Sequence, residues 1–266
     1  MTRAKWPLLQ LVIYAAVTAT LVVCLGLCTA QAARLSETIK SVKPSIVAVG
    51  TYQVTRRPPA RLLGTGFAVA DGRHVLTNAH VVPADVDTEN RETVAIFVGT
   101  GTRSTVHTAD ILRVDRDHDV AILRISGPPL PPLRLGNDGE VEEGRQVAFT
   151  GYPIGQVLGL YPTTHKGIVS AISPISIPQL TPRQLDTRMI RQLQKPFVVF
   201  QLDATAYPGN SGSPLYDSAT GVVYGIVNSV FVKGSKERVL QDPSGITYAV
   251  PIRHAKALLK ELGVDH

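Results

Sequence analysis

Between Pro44 and about Val250 the chain alternates short apolar, β-branched runs with Gly, Pro, Asn and Asp, the pattern of strands joined by turns. A first series reads SIVAVGTYQV, GTGFAVA, HVLTNAHVV, TVAIFVG, DILRVD and DVAILRI. Asp71-Gly72 separates the second run from the third and predicts a hairpin. The Pro-rich stretch GPPLPPLRLGN at 127–137 breaks the pattern and predicts a linker. A second series follows: RQVAFTGYP, HKGIVSAI, FVVFQLDA, GSPLYD, GVVYGIVNSVFV and GITYAVPI. Many short strands in two series predict an all-β fold made of two sandwiches or barrels.

Two stretches have helical spacing instead. TPRQLDTRMIRQLQK at 181–195 opens on a capping Thr and a first-turn Pro, then places Leu185, Met189 and Leu193 four apart with Ile190 beside them. PIRHAKALLKELG puts Ala255, Leu258, Leu259 and Leu262 on one face, with Gly263 as its stop.

The start of the chain does not fit a globular core. Arg3 and Lys5 precede an uncharged run from Trp6 to Cys28, and Ala30 and Ala32 then stand at the spacing of an A-x-A cleavage site. This predicts a secretory signal peptide over 1–32, with an uncleaved membrane anchor as the alternative. Either reading puts the remainder outside the cytoplasm, periplasmic or secreted. Both cysteines, Cys24 and Cys28, fall in this leader, so no disulfide, thiolate metal site or catalytic cysteine is expected beyond it. The net charge is +6, of which Arg3 and Lys5 supply two, leaving +4 for the rest. With 18% charged residues and no dense basic stripe, nucleic-acid binding is not expected, and RRPPAR at 56–61 reads as a solvated loop.

Candidate chemistry begins at YPGNSGSPLY, where Ser211 sits between Gly209 and Gly212. A turn would use the same residues. A serine nucleophile would also need small neighbours, together with a base to take its proton and an acid to orient that base. Of the seven histidines, His80 is set apart because it ends VLTNAH, where an apolar strand runs out into small residues. Asp119 stands at the entrance to the apolar run VAILRI, whereas Asp115 and Asp117 read as solvated. The chain order His, Asp, Ser is that of the chymotrypsin arrangement and not of the α/β-hydrolases. The amides of Gly209 and Ser211 could then stabilise an oxyanion.

With these residues in place, GTGFAVADGRHVLTNAHVV, DHDVAILRI, AFTGYPIG, GIVSAI and LDATAYPGNSGSPLYDSATGVVYGIVNS resemble the successive motifs of trypsin-like serine proteases of the HtrA (Deg) type. The resemblance covers roughly residues 64–252. It implies two six-stranded antiparallel β-barrels, about 44–127 and 133–252, with a C-terminal helix at about 252–262, inside a protease domain spanning 33–266. It implies a serine endopeptidase with His80 as general base, Asp119 as its orienting partner, Ser211 as nucleophile, and an oxyanion hole from the amides of Gly209, Asn210 and Ser211. Neither a metal nor another cofactor is expected. Partners are protein or peptide substrates, a homo-oligomer is the family habit, and the membrane enters only if the leader is retained.

The departures from the family are specific. Asn210 replaces the aspartate that pairs with a new N-terminus in digestive trypsins, as it does in the HtrA type. Ser213 replaces a glycine. Only three residues follow Gly263, which leaves no room for the usual PDZ domain. Thr205 stands where trypsin keeps its specificity aspartate, so a small or medium apolar side chain is expected before the scissile bond, with Val227 and Asn228 lining the pocket. The 181–195 segment falls where the HtrA type has a loop that rearranges to switch the site on, and is expected to gate substrate access or to hold the site in an inactive state. The competing functional class is a latent or inactive protease-fold module that binds extended peptides.

Overall fold

The computed structural model describes residues 12–16, 18, 34–101, 103–153, 159–174, 197–229 and 246–266. Most of the leader and the whole 181–195 segment lie outside the described residues. Among those described, no helix is long and apolar enough to cross a membrane.

Twelve strands follow the two series read from the sequence. The first six are Ile46–Tyr52 (β1), Ala60–Val69 (β2), His74–Thr77 (β3), Thr93–Thr100 (β4), Arg103–Asp115 (β5) and Val120–Ile125 (β6). They close as β1-β2-β3-β6-β5-β4, antiparallel throughout. The second six are Gln146–Gly151 (β7), Thr163–Pro174 (β8), Val198–Asp203 (β9), Pro214–Asp217 (β10), Val223–Asn228 (β11) and Ile246–Pro251 (β12). Started from β7, their ring runs β7-β8-β9-β12-β11-β10, the same path as the first barrel. Closure leaves neither barrel with an open sheet edge.

The Asp71-Gly72 hairpin forms between β2 and β3. Asp71 accepts the Arg73 N–H at 2.9 Å and holds His74 Nδ1 at 2.7 Å. Its carboxyl sits below the usual range because these hydrogen bonds outweigh the upward push of burial. Several elements exceed the sequence reading, among them β2, which begins at Ala60 within the stretch read as a solvated loop. Strand β5 starts at Arg103, ahead of DILRVD, because the polar run RSTVHT still pairs residue by residue with β4, Phe97 facing Val106. Residues 34–42 are helical and dock through Leu35 and Val42, while Thr38 Oγ1 donates to Ala219 O at 3.0 Å.

The continuous apolar runs have a simple cause: both faces of the central strands are buried. In β1, Val47 and Val49 pack inside the first barrel while Ile46 and Ala48 join a cluster shared with the second barrel and the C-terminal helix. Strand β6 alternates in the same way, Ala121 and Leu123 inward, Val120 and Ile122 outward. The second barrel has its own interior around Phe149, Val169, Phe200 and Leu202. Helix Arg253–Glu261 completes the shared cluster with Ala255, Leu258 and Leu259. It ends in a Schellman motif, with Gly263 at φ 68°, Gly263 N–H on Lys260 O and Val264 N–H on Leu259 O.

That helix also meets the turn ahead of Asp119. His254 stacks on His118 at 4.0 Å between ring centroids, and Phe197 sets its ring edge-on against both. Asp115 Oδ2 holds His118 Nδ1 at 2.6 Å. Burial, then the neighbouring His118 and Arg253, push the His254 pKa down to about 4. Unfolded, the ring titrates near 6.5, so between about pH 6.5 and 4 the unfolded chain binds the extra proton and stability falls as the pH is lowered. Partial exposure of the ring discounts the shift to about 1–2 kcal/mol. Thermal unfolding at pH 7 and pH 4.5 is expected to show this loss, and His254→Phe to remove most of it. An equally steep decline in the variant would assign the loss to other groups.

Candidate active site

Each barrel contributes a polar end where an apolar strand stops. In the first, β3 runs into the 3-10 turn Ala79–Val81, which carries His80. Pairing of β3 with β6, Thr77 opposite Ala121, places the start of β6 beside that turn. Asp119 therefore meets His80, with Oδ2 2.7 Å from His80 Nδ1 and Oδ1 accepting the His80 backbone N–H at 3.0 Å. Asp119 is fully buried, a place where a carboxyl group is tolerated only with hydrogen-bonding partners such as these. An acceptor-only carboxylate facing Nδ1 requires a proton there, which leaves Nε2 as the basic nitrogen.

The backbone at Asp119 is unusual, with φ at 59°. Asp tolerates this left-handed conformation better than bulkier residues. Asn78 Nδ2 donates to Asp119 O at 3.0 Å and helps to hold it. The preceding turn is shaped by Asp115, whose Oδ1 accepts the N–H groups of Asp117 and His118. Asp115 was expected to be solvated; it instead works as the turn's acceptor, with its carboxyl held low because these bonds outweigh burial.

In the second barrel the stretch YPGNSGS folds as two successive turns. Asn210 N–H donates to Tyr207 O at 2.9 Å with Gly209 at φ 99°, and Ser213 N–H donates to Asn210 O at 3.0 Å with Gly212 at φ 89°. The first has Pro208 and Gly209 in the positions a type II turn favours. Gly212 has a second reason: a Cβ there would lie 1.9 Å from Thr65 O. The glycines flanking Ser211 thus serve a backbone path that a side chain would block.

Thr65 fastens this loop to the first barrel. Its N–H donates to Ser211 O at 2.8 Å, its Oγ1 donates to Gly209 O at 2.7 Å and accepts the Tyr152 N–H at 3.0 Å. Thr77 Oγ1 in turn donates to Thr65 O at 2.7 Å. Across the barrels, Asn228 Nδ2 reaches Asp119 Oδ2 at 2.5 Å. His80, Asp119 and Ser211 are thereby gathered into one junction between the barrels. Ser211 Oγ itself is turned to Ser229, 2.6 Å from Ser229 Oγ and accepting the Ser229 N–H at 3.2 Å. Among the described residues, no hydrogen bond joins Ser211 Oγ to the His80 ring.

Three residues expected at the site make contacts that the sequence did not foretell. The Asn210 amide, expected in the oxyanion hole, is consumed by the Tyr207 turn; among the described residues the Gly209 and Ser211 amides have no hydrogen-bond partner. Asn228, expected in the substrate pocket, is fully buried and bonded to Asp119. Val227, also expected there, is fully buried within the second barrel's interior beside Phe200 and Ala249. Thr205 is half-buried in the segment leading to Ser211, which Thr247 Oγ1 braces through Ala204 O and the Ala206 N–H. Ser213 is fully buried, its O accepting the Val227 N–H at 2.9 Å.

Sequence reasoning missed Thr65, Asn228 as a partner of the acid, and Ser229. A polar residue inside or ending an apolar run was a signal for all three, but the run does not say which distant group each one meets.

Compared with known proteins, residues 64–226 match the family described as "Trypsin-like peptidase domain". A Pseudomonas fluorescens protein named "Probable periplasmic serine endoprotease DegP-like" is 32% identical over 207 residues, covering 78% of this chain and 36% of its own length. A Halomonas elongata protein of the same name is 30% identical over 205 residues, covering 77% of this chain and 36% of its own. The chain thus spans about a third of the length of these relatives. Among solved structures, an "HtrA-type protease AlgW with tripeptide" superposes with a TM-score of 0.61 at 24% identity, covering 86% of this chain and 63% of that one. The same protease with a decapeptide gives 0.61 at 22% identity, with 85% and 66% covered. These superpositions bear on the fold alone, and they agree with the two six-stranded barrels.

Proposed function

The chain belongs to the trypsin-like peptidase family, with relatives of the HtrA/Deg type, and we propose on that footing that it is a serine endopeptidase acting through an acyl-enzyme on Ser211. The observation that carries the reading is the buried Asp119 carboxylate on His80 Nδ1, at the same junction as a serine framed by two glycine turns. His80 Nε2 takes the Ser211 proton as Oγ attacks the peptide carbonyl carbon. Asp119 keeps the ring in that tautomer and stabilises the imidazolium. The oxyanion of the tetrahedral intermediate is received by the N–H groups of Gly209 and Ser211. Collapse breaks the C–N bond, and the amine leaves with the proton from His80. Water then gives a proton to His80 as its oxygen attacks the acyl carbon, and the acid is released as the acyl–Oγ bond breaks and His80 returns the proton to Ser211.

The neutral Thr205 supports a preference for small or medium apolar residues before the cut, since a threonine would not form an ion pair with Lys or Arg. The uncharged N-terminal run with its Ala-x-Ala site, and the periplasmic naming of the relatives, support action on extracytoplasmic proteins after removal of residues 1–32. A retained leader would make the same domain membrane-anchored.

The Ser211–Ser229 contact favours a second reading, a latent site. A fluorophosphonate probe decides between them. Covalent adduct on the tryptic peptide containing Ser211, with cleavage of an unfolded protein after small apolar residues, is the expected result. A folded, unlabelled protein would instead make it a latent, peptide-binding member of the fold.

A further inference from the structure

We propose that Ser229 is a positioning residue that holds the Ser211 hydroxyl in a resting orientation, so that acylation waits on release of that contact. The proposal rests on Ser211 being the nucleophile. Two bonds define the resting state, both made by residue 229: the hydroxyl pair at 2.6 Å and the Ser229 N–H on Ser211 Oγ at 3.2 Å. The N–H takes up one of the two lone pairs of Ser211 Oγ. The hydroxyl contact turns Oγ towards Ser229, while among the described residues none is made to the base.

The end of β11 explains why one residue can do this. Successive residues of an extended chain point to opposite sides. Asn228 turns to the acid and donates to Asp119, and the next residue turns to the nucleophile. Gly212 N–H on Val227 O and Val227 N–H on Ser213 O lock the two segments in register just beside the contact. The acid and the serine are therefore both addressed by one strand end. Release needs only rotation about the Ser211 Cα–Cβ bond, with no change of backbone. A neutral hydrogen bond gained or lost in water-accessible surroundings shifts such an equilibrium by roughly two- to twelvefold. Ser229 is half-buried, so the contact is a partial restraint and not a lock.

The test compares the full chain with Ser229→Ala and Ser229→Thr. The readouts are the fluorophosphonate labelling rate constant, and kcat and KM on a peptide substrate. The alanine variant is expected to label roughly two- to twelvefold faster, with kcat raised alike and KM unchanged, whereas threonine, which keeps the hydroxyl, stays near the parent rate. The labelling rate constant is read only on molecules that label, so partial unfolding lowers the amplitude and leaves it intact. An alanine variant no faster than the parent overturns the proposal and leaves the nucleophile reading standing. A threonine variant as fast as alanine also overturns it, by assigning the gain to something other than the hydroxyl. Absence of Ser211-dependent labelling in all three proteins removes the nucleophile reading itself, and the restraint with it.

Discussion

Peptide hydrolysis is expected to fall about 10⁶-fold in kcat when Ser211 is replaced by alanine, the size seen when a serine triad loses its nucleophile. At 1.36 kcal/mol per decade this is about 8 kcal/mol of transition-state stabilisation. The residual rate, about 10³–10⁴ above the reaction in water, would come from substrate binding and the two turn amides. The fold should be indifferent to the change. The Ser211 side chain makes its hydrogen bonds to Ser229, whereas the turn is held by backbone bonds and by Thr65. Thermal unfolding within a few degrees of the parent, together with loss of hydrolysis and of probe labelling, is the expected pair of results. Retained hydrolysis would sink the acyl-enzyme mechanism.

Asp119→Asn is expected to cost about 10⁴-fold in kcat with the backbone left in place. Asparagine accepts the left-handed conformation that residue 119 adopts at φ 59°, so the substitution isolates the chemistry. The carboxylate receives the His80 ring on Oδ2, the His80 backbone N–H on Oδ1 and the Asn228 amide on Oδ2. An amide has one acceptor atom and one donor. If its NH₂ faces His80 Nδ1, that nitrogen must give up its proton and Nε2 carries it, the wrong tautomer for a base. If it faces the other way, it meets the His80 backbone N–H. In both cases the negative charge that stabilises the imidazolium is gone. Steady-state kinetics above pH 7 would measure the loss; a change below tenfold would remove Asp119 from the role proposed for it.

The residues proposed to bear the chemistry were legible because each interrupts a strong pattern. His80 and Asp119 stand where apolar strands begin or end, and Ser211 lies between glycines that a backbone with positive φ requires. The resemblance added their mutual roles. What the sequence left unread lies where a group's partner is decided by the fold. Asn228 looked like a pocket wall beside Val227, yet its amide reaches Asp119, which enters from the other barrel. The Asn210 amide looked available, yet the Tyr-Pro-Gly-Asn turn uses it. That second point was within reach of the sequence, since Pro-Gly predicts the turn and the turn predicts the bond.

The sequence by itself determined the twelve strands, the Asp71-Gly72 hairpin, the Pro-rich break between two series and the apolar face of the C-terminal helix. These follow from local rules, period-two burial and turn chemistry, which act over a few residues. Only the tertiary structure decided that both series close along the same path, although they share no visible repeat. It also decided that Thr65 ties the Ser211 turn to the first barrel, and that Ser229 is the neighbour of Ser211 Oγ. Closure and docking depend on which strand edges and faces meet. A strand buried on both faces reads the same whichever partner covers it, so that choice is made by the packed whole.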